Sequence, residues 1–311
     1  MLLRIARLTQ PDYQNLAATS KRAQLLTIPY SSFCDLGAWA LKAAGIPYTE
    51  HAFAPGGNVL PLVRLRLGGS DKHVSKTSAV SKPSAAGEAE VHRQKRPGGS
   101  PTAVPACCLP DGRVLADSWA IAAHASATSG IAPVPTDLLH VLDTRLGPLT
   151  RQLTYHVLFD AKNHNVWNGL VTDNTSALWR SIWWAGGERM TSRMIKMFSS
   201  DDAEAAALCR ERLRDTFNTI ATEHLETANG AAPFLGGATT PGMGDIALAS
   251  LAAPAVFPAL YCEGRYAQRF EQLLAQDATL SDEIDAWRDT PVGKHCLATY
   301  RWRMNVLMGE K

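Results

Sequence analysis

The chain has 311 residues, 46% of them hydrophobic and 19% charged, with a net charge of +2. Such a balance does not suit a nucleic-acid binder, and no apolar run approaches the ~20 residues that span a bilayer, so a soluble protein is expected. The six cysteines, Cys34, Cys107, Cys108, Cys209, Cys262 and Cys296, show neither CxxC nor paired Cys/His spacing. They are expected to be reduced thiols in a cytosol-like compartment, not a disulfide framework or a zinc site.

The length allows two domains at roughly 100–200 residues each. Residues 1–24 read as an extension. Arg4, Arg7, Lys21 and Arg22 against Asp12 are faintly like an organelle transit peptide, and a surface segment is the plainer reading. "LLTIP" (25–29) predicts a short buried strand. Leu36, Trp39, Ala40 and Ala43 then repeat at helical spacing, with Gly45 as a stop. Ser32 and Asp35 have the spacing of a capping pair. That places Ser31 just outside the helix, beside free backbone N–H groups that favour an anion. Cys34 falls in the first turn, pointing under the helix. "PYTEHAF" predicts a second strand.

From 68 to 102 the chain is rich in Ser, Gly, Lys and Pro and poor in large apolar side chains. A disordered insertion is predicted, because too little surface can be buried to offset ordering. "PACCL" and "RVLA" around Pro110-Asp111-Gly112 predict a hairpin. Cys107 and Cys108 then point to opposite sheet faces. A helix is expected to start near Asp117 or Ser118. "GIAPVPTD" reads as a linker, with Thr136 or Asp137 capping the next helix. From 136 to 311 the pattern is helical.

Within that half, His156, Asp160 and His164 stand at i, i+4 and i+8. A polar surface is the favoured reading there and no metal is expected. Trp179 and Trp183 share a predicted face, either as a pocket wall or as core, and Phe257, Tyr261 and Tyr266 carry the same two readings. In "PFLGGATTPGMGDIALASLAA", Gly242 stands three residues before Asp245, where a capping hydroxyl would be stronger.

Taken in order, "SSFCDLGAWALKAAGIPY", Val104-Pro105, Asp117-Ser118 and "FLGG…GDIA" resemble the glutathione S-transferase superfamily, most nearly its serine-using tau and zeta classes. The resemblance implies a thioredoxin-like α/β domain (25–130) that binds glutathione as cosubstrate, followed by an all-helical bundle (136–311). It implies that Ser31 holds the glutathione sulfur as thiolate, with Ser32 as its alternate if the register shifts by one. In glutaredoxin-like relatives the same four positions read CxxC; here only Cys34 remains. Pro105 would be cis, turning the Val104 backbone toward the cysteinyl part of the peptide. Asp117 and Ser118 would hold the γ-glutamyl group, and Arg64 or Arg66 the glycine carboxylate.

The activity implied is transfer of glutathione to a small hydrophobic electrophile, a detoxification chemistry, by a cytoplasmic homodimer. Two rivals remain open. One is a glutathione-dependent reductase or isomerase using Cys34; the other is a non-catalytic binding or regulatory protein of the same fold.

Overall fold

The computed structural model describes residues 11–67, 103–173, 175–225 and 233–308. The segment 68–102, expected to be a disordered insertion, lies outside the described residues, as do Arg4 and Arg7.

Part of the expected extension is a helix. Asp12 accepts from the amides of Gln14 and Asn15 at 3.1 and 3.2 Å and so starts α1 (Tyr13–Ser20). Tyr13 and Ala17, one turn apart, are buried against the sheet. Strand β1 (Ala23–Thr27) begins two residues before the predicted run, pairing in parallel with β2 (Tyr48–Ala52). Gln24 concealed this start from a hydrophobicity reading. Its amide is buried but bonded to His51 on the next strand at 2.8 Å, which removes the penalty of an unpaired polar group.

The predicted hairpin is present as β3 (Ala106–Cys108) and β4 (Val114–Leu115), antiparallel, giving the sheet order β2-β1-β3-β4. Leu25, Cys107 and Leu115 face one layer, formed by α2 (Ser32–Ala43) and α4 (Ser118–Ser129). Leu26, Ala106, Cys108 and Val114 face the other, with α1 and α3 (Val59–Leu67). The two adjacent cysteines are thus buried on opposite faces.

The remainder is helical. Helix α5 (Thr136–Val141) continues through a π turn, Leu142–Leu146, into α6 (Gly147–Leu158). Pro135 occupies the cap position and Thr136 is already helical, so neither Thr136 nor Asp137 is the cap. Helix α6 ends at Leu158, and Asp160 instead caps the 3₁₀ turn Ala161–Asn163 ahead of α7 (His164–Thr172). His156, Asp160 and His164 therefore share no helical face. Among the described residues no cluster of three His, Cys, Asp or Glu could hold a metal.

Helices α8 (Ala177–Phe198), α9 (Ala203–Ile220), α10 (Met243–Val256), α11 (Ala267–Gln276), α12 (Ala278–Asp289) and α13 (Pro291–Met308) complete the fold. Every residue of α10 is buried, so it shows no amphipathic stripe and forms the axis of the helical part. Asp245 secures its start, accepting from the amides of Gly242 at 2.7 Å and Leu235 at 2.8 Å. Among the described residues no helix is long and apolar enough to cross a membrane.

The α/β part and the helical part share one apolar core and a seam of charges. Asp35 of α2 accepts from Tyr300 Oη at 2.6 Å and from Arg303 Nη1 at 3.0 Å. Glu50 of β2 pairs with Arg265 at 2.8 Å, and Lys42 with Glu263 at 3.2 Å. The Tyr261 hydroxyl donates to the Tyr30 carbonyl at 2.9 Å. These bonds hold the loop at residues 28–31 and the start of α2 against the helical part.

Candidate active site

The chain leaves β1 through Ile28 and Pro29 and turns into α2 at Ser31. The Ser31 amide donates to the Ile28 carbonyl at 3.0 Å, and its own carbonyl accepts from the Asp35 amide at 2.9 Å. Ser31, not Ser32, is the cap residue, with extended backbone (φ −82°, ψ 127°), and its side chain makes no capping bond. The expected Ser32–Asp35 capping box is absent. Ser32 is the first helical residue and is buried at 5% exposure, while the Asp35 carboxylate is directed into the seam with Arg303 and Tyr300. The physical reason is competition: a buried guanidinium and phenol bind a carboxylate more strongly than one free amide does.

Cys34 lies beneath the helix at 2% exposure, and the Ile28 amide donates to its sulfur at 3.4 Å. Burial pushes its thiol up to about 12, although the Ile28 amide and the Ser31 side chain, within hydrogen-bonding reach of the sulfur, act the other way. It is therefore a protonated thiol at neutral pH.

Val104–Pro105 is a cis bond, and Pro105 is buried. Gly37 of α2 packs against it. A Cβ at Gly37 would lie 3.2 Å from Pro105 Cγ and 3.3 Å from Ile121 Cδ1, so α2, the proline and α4 meet closely only at a residue without a side chain. Through Gly37, α2 thereby packs on Pro105 and on Ile121 of α4. At the start of α4, the Asp117 carboxylate accepts from the Ala120 amide at 2.8 Å, and Ser118 is buried at 1% exposure. Arg66 sits beside Asp117. Its Nη2 donates to the carbonyls of Ala103 at 3.0 Å and Ala116 at 2.7 Å. Burial lowers its pKa and the Asp117 carboxylate raises it.

From the helical part, α6 packs against the start of α2. Gly147, Arg151 and Tyr155 recur every four residues along α6. A Cβ on Gly147 would run into the Phe33 ring, which lies two residues past Ser31. The Arg151 guanidinium lies 5.9 Å from the Phe33 ring centre and 5.6 Å from that of Phe198. Tyr155 packs on Phe198 at 4.3 Å and stacks on Phe159 at 5.1 Å. Trp179 and Trp183 part company here. Trp183 is core, bonded to Asn168 at 3.1 Å and edge-on to Trp167, whereas Trp179 lies over Gly57 in the loop after β2. Phe257, Tyr261 and Phe270 pack together, and with Tyr30 they line an apolar cavity inside the helical part; Tyr266 is buried edge-on to Phe270.

The residues missed from sequence are Arg303 and Tyr300, which hold Asp35, and the bridging role of Arg66. Their partners lie 265, 268, 37 and 50 positions away, so no local signal marks them.

No protein-family model matches the chain, and no curated protein does. Solved structures do. A glutathione S-transferase of Ceriporiopsis subvermispora, in complex with glutathione, is similar over 90% of this chain and 97% of its own, at 16% identity and TM-score 0.50. A glutathione transferase of Phanerochaete chrysosporium matches over 86% and 96% at 14% identity and TM-score 0.45. A glutathione S-transferase of Methylobacterium radiotolerans, complexed with glutathione sulfonate, matches over 89% and 94% at 14% identity and TM-score 0.37. With its small mixed sheet followed by a helical bundle, this chain has the glutathione S-transferase fold.

Proposed function

We propose that the protein is a glutathione transferase in which the Ser31 hydroxyl stabilises the thiolate of bound glutathione for attack on a small hydrophobic electrophile. The observation that carries this reading is the state of Ser31. It is a cap residue whose hydroxyl makes no capping bond; it lies within reach of the Cys34 sulfur and would turn from it to a sulfur brought to the helix start. The neighbouring Cys34 thiol is buried and protonated, which leaves Ser31 as the donor and the cosubstrate as the source of the nucleophile.

In this reading the cysteinyl backbone of the peptide pairs with Val104 beside the cis proline. The γ-glutamyl group lies at the start of α4, with its ammonium toward Asp117 and its carboxylate toward the amide end at Ser118. One Asp117 oxygen caps the helix. A free thiol titrates near 8.5, so depressing it by about two units yields mostly thiolate at neutral pH, and each unit corresponds to ~1.4 kcal/mol. A hydrogen bond to a charged group supplies ~1.5–3 kcal/mol, and the helix end adds to it. The electrophile would lie between Ser31 and the Phe33, Tyr155 and Phe198 rings. A homodimer acting in cytoplasmic detoxification completes the proposal.

Its test is an ultraviolet titration of the thiol in the glutathione complex, wild type against Ser31→Ala. The expected result is a depressed thiol pKa in wild type that rises by at least one unit in the variant, with kcat falling at neutral pH. An undepressed wild-type pKa, or one unmoved by the substitution, removes Ser31 from the mechanism. The reductase or isomerase alternative has against it the burial of Cys34, which keeps that sulfur from attacking a disulfide.

A further inference from the structure

We infer that Arg66 is a positioning residue for glutathione: a clasp that locks together the two loops on which the peptide is laid, without touching the reacting sulfur. The inference rests on the functional reading above. One nitrogen of its guanidinium carries two protons and spends both on main-chain carbonyls, Ala103 at 3.0 Å and Ala116 at 2.7 Å. Each carbonyl immediately precedes a proposed binding pair. Ala103 leads into Val104 and the cis Pro105, and Ala116 into Asp117 and Ser118.

The two loops belong to different elements. One enters β3, and the other leaves β4 for α4. The β3–β4 ladder joins them only at Cys107–Leu115 and Cys108–Val114, beyond the binding pairs. Arg66 therefore sets the spacing between the Val104 backbone and the Asp117 carboxylate. Its half-buried charge stands beside that carboxylate, which opposes the effect of burial on it.

The clasp also sits where the chain needs it most. Arg66 is the penultimate residue of α3, and Ala103 lies at the far side of the 68–102 segment. The bond fixes the spacing of residues 66 and 103, which lie 37 positions apart in sequence. This gives Arg66 a different part from the glycine-carboxylate ligand expected of it: its Nη2 protons are engaged by carbonyls.

The experiment compares wild type, Arg66→Met and Arg66→Lys by steady-state kinetics against glutathione, by titration of the bound thiol, and by amide hydrogen exchange in the peptide-free protein. For Arg66→Met, KM for glutathione should rise about tenfold, ~1.4 kcal/mol, while kcat at saturation and the bound-thiol pKa stay at wild-type values. Arg66→Lys, which keeps the charge but not the planar fork, should lie between the two. Exchange should quicken at 103–106 and 116–120 in Arg66→Met and not in β1. An unchanged KM overturns the inference, and so does a fall in kcat with a displaced thiol pKa, which would place Arg66 at the sulfur. Should wild type fail to bind glutathione, the functional reading falls and exchange alone decides the clasp: unchanged protection at 103–120 overturns it. If Arg66→Met does not fold, Arg66→Lys decides by the same measurements.

Discussion

The buried ion pair between Asp35 and Arg303 gives the sharpest test of how the site is held. The two side chains are 1% and 2% exposed and lie 3.0 Å apart, and Tyr300 donates a second bond to the same carboxylate at 2.6 Å. Burial opposes the Arg303 charge, yet the Asp35 carboxylate outweighs it and raises the guanidinium pKa. Replacing Asp35 by Asn preserves shape and removes the charge, leaving Arg303 with Glu263 at 3.7 Å as its remaining ion pair. Breaking a buried pair on one side costs about 3–5 kcal/mol, against a total stability of about 5–15 kcal/mol for a typical domain. Urea unfolding of Asp35→Asn should therefore show a midpoint far below wild type. Arg303→Met and Asp35→Leu should each cost about as much, and the two combined should recover most of the loss, since an apolar pair of similar volume is often neutral or better. The cycle isolates the coupling, because the two side chains touch directly. A loss below about 1 kcal/mol in Asp35→Asn, or strict additivity in the double variant, would refute the claim that this pair secures helix α2.

Two further outcomes are expected. Cys34→Ala should leave kcat/KM for glutathione transfer essentially unchanged while lowering stability by about 1 kcal/mol, through loss of one buried sulfur. In wild type, Cys34 should resist alkylation at neutral pH, and a loss of turnover in the variant would restore the reductase or isomerase alternative. Burial lowers the pKa of His51, His124 and His156 below the ordinary 6.5. Between those lowered values and 6.5 the unfolded chain binds more protons than the folded one, so stability is lost as pH falls below about 6.5. Urea midpoints at pH 7 and 5.5 measure this; an equal or higher midpoint at 5.5 contradicts it.

Several parts of the molecule were legible because their signals are local. The turn at Pro110-Asp111-Gly112 defines a hairpin by residue type, and the Asp117 cap lies three residues from the amide it serves. The helix of residues 32–43 announces itself through Leu36, Trp39 and Ala40. The errors also have local causes. A spacing of three between Ser32 and Asp35 is the mark of a capping box, but it carries no information about a competitor at residue 303. Polar Gln24 disguised the start of the first strand, and a helix-like spacing from His156 to His164 crosses a break at Phe159, after which Asp160 caps a new turn.

Local patterning thus determined the order of the elements and the cap region at Ser31, because caps, turns and periodicity act within a few residues. Tertiary structure alone decided which carboxylate caps and which pairs in the core, which tryptophan is core and which lies over Gly57, and which cation bonds to two loops. Those outcomes depend on partners brought together across dozens to hundreds of positions, where the strongest available charge or the tightest fit wins over the nearest neighbour in sequence.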